Sequence, residues 1–72
     1  MAADSVYKVI EIVGTSDESW EDATRAAVTT AAKTLRDLRV AEVVKLDATI
    51  SDDGKVESFR ARLMVSFKYE LD

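Results

Sequence analysis

The sequence predicts an α+β fold of order β-α-β-β, with one helix packed on a three-stranded antiparallel-type sheet whose third strand is central. Three observations carry this. A β-branched run, Val6–Val13, opens the chain; alanines then recur at helical spacing from Ala23 to Ala31; and two long β-patterned runs flank Asp53-Gly54. The 72 residues form a single domain, residues 1–72.

The first strand, Val6–Val13, has Lys8 and Glu11 as its only charges, and β-branched side chains suit a pleated surface. Gly14-Thr15-Ser16-Asp17-Glu18 breaks the pattern, and Gly14 is the natural place for an unusual backbone angle. The helix runs from Ser19 to about Leu38. Ser19 followed by Asp22 resembles a capping box, with Asp where Glu or Gln is usual. Glu18, Glu21 and Asp22 sit at the positive end of the helix dipole, and Lys33, Arg36 and Arg39 lie towards the negative end. Trp20, Ala23, Ala27, Ala31, Leu35 and Leu38 make one apolar stripe; being mostly alanine, it lets the helix lie close to what it covers.

The second strand spans Val40–Ile50 and the third Val56–Leu71. Asp53-Gly54 between them is a hairpin signal. The third strand alternates: Phe59, Ala61, Leu63, Val65, Phe67 and Tyr69 share one face, while Arg60, Arg62, Met64, Ser66 and Lys68 share the other. A right-handed crossover sets the first two strands parallel, with the third inserted between them and antiparallel to both.

One helix covers one sheet face, here Phe59, Leu63, Val65 and Phe67 with Ala41 and Val43. Val40, Val44, Leu46, Ile50 and Met64 face away, joined by either Ile10 and Ile12 or Val9 and Val13. Burying one such side chain is worth about 1.5–3 kcal/mol, and soluble monomers rarely leave so large a patch wet. A chain this short also buries little surface alone and ordinarily relies on disulfides, metals or partner copies. It has no cysteine and no histidine, which excludes disulfides and the usual zinc sites. Homo-oligomerisation is the remedy left.

Composition excludes other classes. The net charge of −4 and pI near 4.7 speak against nucleic acid, which needs a basic face. No apolar run reaches the length of a membrane span, and Met1-Ala2-Ala3-Asp4-Ser5 has no signal-peptide character, so a cytoplasmic protein is expected. Without His or Cys the usual base and the strongest nucleophile are missing, and no Gly-rich phosphate loop exists; the chain is not expected to be an enzyme.

The stretch Val6-Tyr7-Lys8-Val9-Ile10-Glu11-Ile12-Val13-Gly14-Thr15-Ser16, then Ser19-Trp20-Glu21-Asp22-Ala23, resembles the opening of a dodecin. Thr34-Leu35-Arg36-Asp37-Leu38-Arg39-Val40-Ala41-Glu42-Val43 and the closing Val65-Ser66-Phe67-Lys68-Tyr69-Glu70 extend the resemblance over nearly the whole chain. It implies a small β-α-β-β subunit of a hollow homododecamer, helices outside and sheets inward, that binds or stores flavin (riboflavin or FMN). In that family a tryptophan at the start of the second strand stacks on the flavin and a glutamine on the third strand contacts it. Those positions fall on Val40 and Arg60, which supply neither an aromatic face nor an acceptor. The sequence is more similar to an actinobacterial branch that lacks the tryptophan and is associated with calcium.

The candidate ligand-contacting residues are Val40, Glu42, Arg60 and Lys68, and the candidate metal ligands are Asp17, Glu18, Glu21 and Asp22. Each has a structural reading beside the functional one. Arg60, Arg62 and Lys68 suit either a phosphorylated ligand inside a cage or ion pairs at the subunit interface with Glu42, Glu57 or Glu70. The four acidic residues suit either a hard cation, with several subunits meeting, or compensation of the helix dipole. Trp20 is read as packing of the helix end, on the side of the sheet opposite Val40. Aligning Gly54 with an EF-hand glycine puts Arg60 where the bidentate Glu belongs, so that segment is read as a turn. Three ligand readings stand, namely flavin, calcium, and a cage without ligand, beside a small protein-interaction module whose apolar face binds a different protein.

Overall fold

In the computed structural model, which describes residues 5–69, the chain forms β1 (Tyr7–Ser16), α1 (Trp20–Ala31), β2 (Leu38–Ile50) and β3 (Val56–Lys68). The sheet order is β1-β3-β2, and β3 is antiparallel to both neighbours. This is the expected β-α-β-β arrangement with the third strand central. Glu70 and Leu71, named above as an ion-pair partner and as the end of the third strand, lie outside the described residues.

Small side chains decide how the helix meets the sheet. Ala23 and Ala27 on α1 and Ala61 on β3 are buried, and Gly14 is paired directly with Ala61. A Cβ at Gly14 would stand 2.1 Å from the Ala23 carbonyl oxygen and 2.8 Å from Ala27 Cβ. Gly14 is therefore needed for close approach, not for an unusual backbone angle; the positive φ values among the described residues belong to Gly54 and Asp37. The strand also continues through it to Ser16, because the close contact with α1 and the pairing with β3 are both satisfied by extended backbone. Leu63 and Val65 complete the core, with Ile10, Ile12, Val28 and Leu38 packed around it.

Ser19 starts the helix as expected: its backbone is extended and its hydroxyl accepts from the Asp22 amide at 3.0 Å. The helix ends earlier than its pattern suggests, at Ala31 and not near Leu38. Tighter bonds follow, from the Lys33 amide to the Thr30 carbonyl at 3.1 Å and from the Thr34 amide to the Ala31 carbonyl at 3.2 Å. Asp37 then turns the chain at φ 60°, a conformation that Asp tolerates better than most residues. Leu38 is thereby freed to pair with Phe67 in the sheet. Consequently the last helical turn holds no basic residue, and Lys33, Arg36 and Arg39 do not compensate the dipole from within the helix.

The hairpin closes as its sequence predicts. The Ser51 amide donates to the Lys55 carbonyl at 2.8 Å, the Gly54 amide to the Ser51 carbonyl at 2.9 Å, and Gly54 has φ 83°. Irregularities in β2 between Leu38 and Val40, between Val43 and Lys45, and between Thr49 and Ile50 shift its phase against β3. One shift corrects an assignment made from alternation. Leu46 pairs with Ala61, so it lies on the helix side of the sheet, not the far side. The uncertainty on β1 is also resolved: Ile10 and Ile12 pair with Val65 and Leu63 on the helix side, which leaves Val9 and Val13 on the other.

Dimensions explain what stays uncovered. A 12-residue helix is about 18 Å long, while a 13-residue strand reaches about 44 Å. The described residues extend over 60 × 20 × 15 Å. The β2–β3 hairpin thus projects past the helix as an arm ending at Ile50 (69% exposed) and Val56.

Candidate functional site

The sheet face opposite α1 is the candidate site. Register places Val9, Glu11, Val13 and Thr15 of β1, Arg60, Arg62, Met64, Ser66 and Lys68 of β3, and Val40, Glu42, Lys45, Asp47 and Thr49 of β2 on it. Val40 (61% exposed), Val9 (51%) and Val13 (46%) are open to solvent in the single subunit. Apolar and charged residues alternate across the strands, the texture of an interface with a polar rim.

Arg60 and Arg62 each make an ion pair on this face. Arg60 grips Asp47 in a two-pronged contact, Nε to Oδ1 at 2.7 Å and Nη2 to Oδ2 at 2.9 Å. Arg62 Nη1 lies 3.5 Å from Glu11 Oε2. These are contacts within one subunit, and the β2 irregularity is what sets Asp47 directly opposite Arg60. Hydrogen bonding from Arg60 holds the Asp47 carboxyl below the usual carboxylate range; partial desolvation opposes this, and the charges of Arg60, Lys45 and Arg62 add to it. The same bond raises the guanidinium of Arg60.

Asp47 also works through its backbone. Its carbonyl accepts from Trp20 Nε1 at 2.9 Å, and the Trp20 ring meets Phe59 edge-on at 5.0 Å between centroids. Trp20 therefore packs the start of the helix onto the base of the hairpin arm, the role read for it from sequence. Sequence reasoning did not single out Asp47. Its only sequence signal is an acidic residue set between the apolar Leu46 and Ala48.

The four candidate ligand-contacting residues, Val40, Glu42, Arg60 and Lys68, all fall on this face, but not at one place. Val40 pairs with Ser66 and Glu42 with Met64, whereas Arg60 lies six residues along β3 from Ser66, about 20 Å away. Val40 and Arg60 therefore cannot touch one small molecule within a single subunit. Val40 is a branched aliphatic side chain with no ring to stack on, and Arg60 is engaged by Asp47. Val40 and Arg60 do not by themselves supply a flavin site of the stacked kind; Tyr7, paired with Lys68 and exposed, lies on the same face.

The four candidate metal ligands lie around the β1–α1 junction. Asp22 Oδ2 accepts from Ser16 Oγ at 2.8 Å and Asp22 Oδ1 stands 3.8 Å from Arg25 Nη1. The Glu18 amide donates to the same Ser16 hydroxyl at 2.9 Å, while Asp17 and Glu21 are exposed. Among the described residues, no group of three or more acidic side chains is close enough to hold a metal ion within one subunit. A concavity of about 620 Å³ lies between β1 and α1 against Ile10, Ile12, Gly14, Ala27, Ala31 and Leu35, with no charged side chain in its lining. Among the described residues no helix is long and apolar enough to cross a membrane.

Comparison with known proteins agrees with this geometry. The family described as dodecin matches residues 6–70. A calcium dodecin of Mycobacterium tuberculosis is 48% identical over 64 residues, 89% of each chain; its crystal structure, described as having a novel calcium-binding site, superposes with a TM-score of 0.82 at 47% identity, covering 92% of this chain and 93% of that one. A dodecin of Thermus thermophilus is 45% identical over 65 residues, 90% of this chain and 93% of its own. A dodecin of Streptomyces coelicolor gives a TM-score of 0.90 at 37% identity, over 99% of this chain and all of that one.

Proposed function

The chain belongs to the dodecin family, and from that premise we propose that it acts as a hollow homo-oligomer, of twelve copies by family likeness, that holds a small ligand between its subunits. The observation that carries the reading is the uncovered sheet face, with Val9, Val13 and Val40 open beside the Arg60–Asp47 and Arg62–Glu11 pairs. A face of this composition is stable in water when copies bury it against one another. The role is one of binding and sequestration, not catalysis.

Calcium is the ligand favoured over flavin. Val40 offers no ring to stack on, Arg60 is held by Asp47, and a relative 48% identical is named for calcium. Calcium takes six to eight oxygens, more than the described residues of one subunit bring together. The site is therefore assigned between subunits, with Asp17, Glu18 and Glu21 as donors and Asp22, already bonded to Ser16, in a supporting role. Thermal unfolding in millimolar calcium and in chelator tests this. Binding to the folded assembly at a hundred times Kd adds about 2.7 kcal/mol, a plain rise in Tm. Equal melting in both solutions, with riboflavin raising Tm instead, would return the assignment to flavin.

A further inference from the structure

The turn at the tip of the hairpin arm carries an inference separate from ligand binding. The chain has no asparagine, and Asp53-Gly54 is its one Asp-Gly step. That step is chemically exposed in any unstructured chain. The Gly54 amide nitrogen can attack Asp53 Cγ, forming a C–N bond as one carboxyl oxygen leaves as water. Water then opens the resulting five-membered imide at either carbonyl. Opening at the main-chain carbonyl leaves an isoaspartyl link, which adds a methylene to the backbone. Glycine favours the attack because no Cβ shields its nitrogen.

Sterics do not prevent it here. Asp52, Asp53, Gly54 and Lys55 are exposed, and nothing lies within 4 Å of where a Cβ on Gly54 would stand. Hydrogen bonds stand in the way instead. The attacking nitrogen is occupied, since the Gly54 amide donates to the Ser51 carbonyl at 2.9 Å. The carboxyl it would attack is held by two contacts: Ser51 Oγ donates to Asp53 Oδ1, and the Lys55 amide donates to the same oxygen at 3.4 Å; Ser51 Oγ also lies 3.1 Å from the Lys55 carbonyl oxygen. Hydrogen bonding from Ser51 also keeps the Asp53 carboxyl below the usual range, that is, as the ionised form, which is the poorer electrophile.

We propose that Asp53-Gly54 is a site of spontaneous isoaspartate formation that the closed hairpin turn suppresses, with Ser51 as its guard. Opening of the arm exposes the step, and the product is lasting. An added methylene between Asp53 and Gly54 breaks the Ser51–Lys55 closure and the Ile50–Val56 pairing beyond it. The mark would thus accumulate on chains that have spent time with the arm open.

The test is peptide mapping for isoaspartate at residue 53 after prolonged incubation at 37 °C. Three samples are compared: the folded protein, the same protein in guanidinium chloride, and folded Ser51→Ala, whose fold is checked by circular dichroism. The expected result is several-fold faster isomerisation in denaturant than in the folded protein, with Ser51→Ala also several-fold faster than wild type. Equal rates in folded and denatured wild-type protein would overturn the protection. A Ser51→Ala rate equal to wild type would overturn the role given to Ser51. The wild-type comparison needs no variant, so the proposal stays testable even if Ser51→Ala fails to fold.

Discussion

At the scale of single residues, Asp47 and Val40 separate what the face does from what it lacks. Asp47 pairs with Arg60 through its carboxylate and with Trp20 through its carbonyl, so it ties the base of the hairpin arm to the start of the helix. Because its folded-state pKa is lowered, the pair adds stability above the unfolded-state value and loses it as pH falls through the folded one. Thermal melts between pH 5 and pH 2.5 should therefore show wild type losing more stability than Asp47→Asn. Both side chains are more than a third exposed, so the difference is small and shrinks with added salt. A parallel pH dependence in the two proteins would remove the pair from the account. Val40 predicts a gain. Replacing it with Trp supplies the missing face, and aromatic stacking worth about 0.5–1.5 kcal/mol should tighten riboflavin binding about two- to ten-fold by fluorescence titration. No tightening would mean that the stacking position lies elsewhere.

At the scale of elements, the seam between helix and sheet is the feature most sensitive to size. Gly14→Ala drives a methyl into the Ala23 carbonyl and the Ala27 side chain, neither of which is a flexible end that can swing away. Overpacking of this kind costs about 1–3 kcal/mol or more, read as a lower denaturant midpoint with an unchanged slope. Wild-type stability for Gly14→Ala would show that the helix rides higher on the sheet than described. Much at this scale was legible beforehand. The alternation of Phe59 to Phe67 gave the central strand its faces, Asp53-Gly54 placed the hairpin, and Ser19 placed the start of the helix. The end of the helix was not legible, because Leu35 and Leu38 keep helical spacing while Leu38 is taken into the sheet opposite Phe67. Nor was the irregularity near Val44, which has no glycine to announce it and which moves Leu46 to the other face. The Arg60–Asp47 pair was missed for the same reason, since one residue of phase decides which acid stands opposite the arginine.

At the scale of the whole molecule, one subunit reads as part of something larger. Among the described residues its core rests on five small to medium apolar side chains, and its helix shields less than half the length of the strands beneath it. Sequence could show that the sheet had a second apolar face, but not which residues meet across symmetry axes, because those neighbours are remote along the chain. If copies bury that face, association and stability are linked, and Tm should rise with protein concentration wherever dissociation accompanies melting. The measurement that tests the central claim most directly is the mass of the purified protein in solution at micromolar concentration, by sedimentation velocity. The account predicts one compact species near twelve times the 8.0 kDa chain mass. A folded monomer of 8.0 kDa would contradict it, and would leave the open sheet face for a partner other than itself.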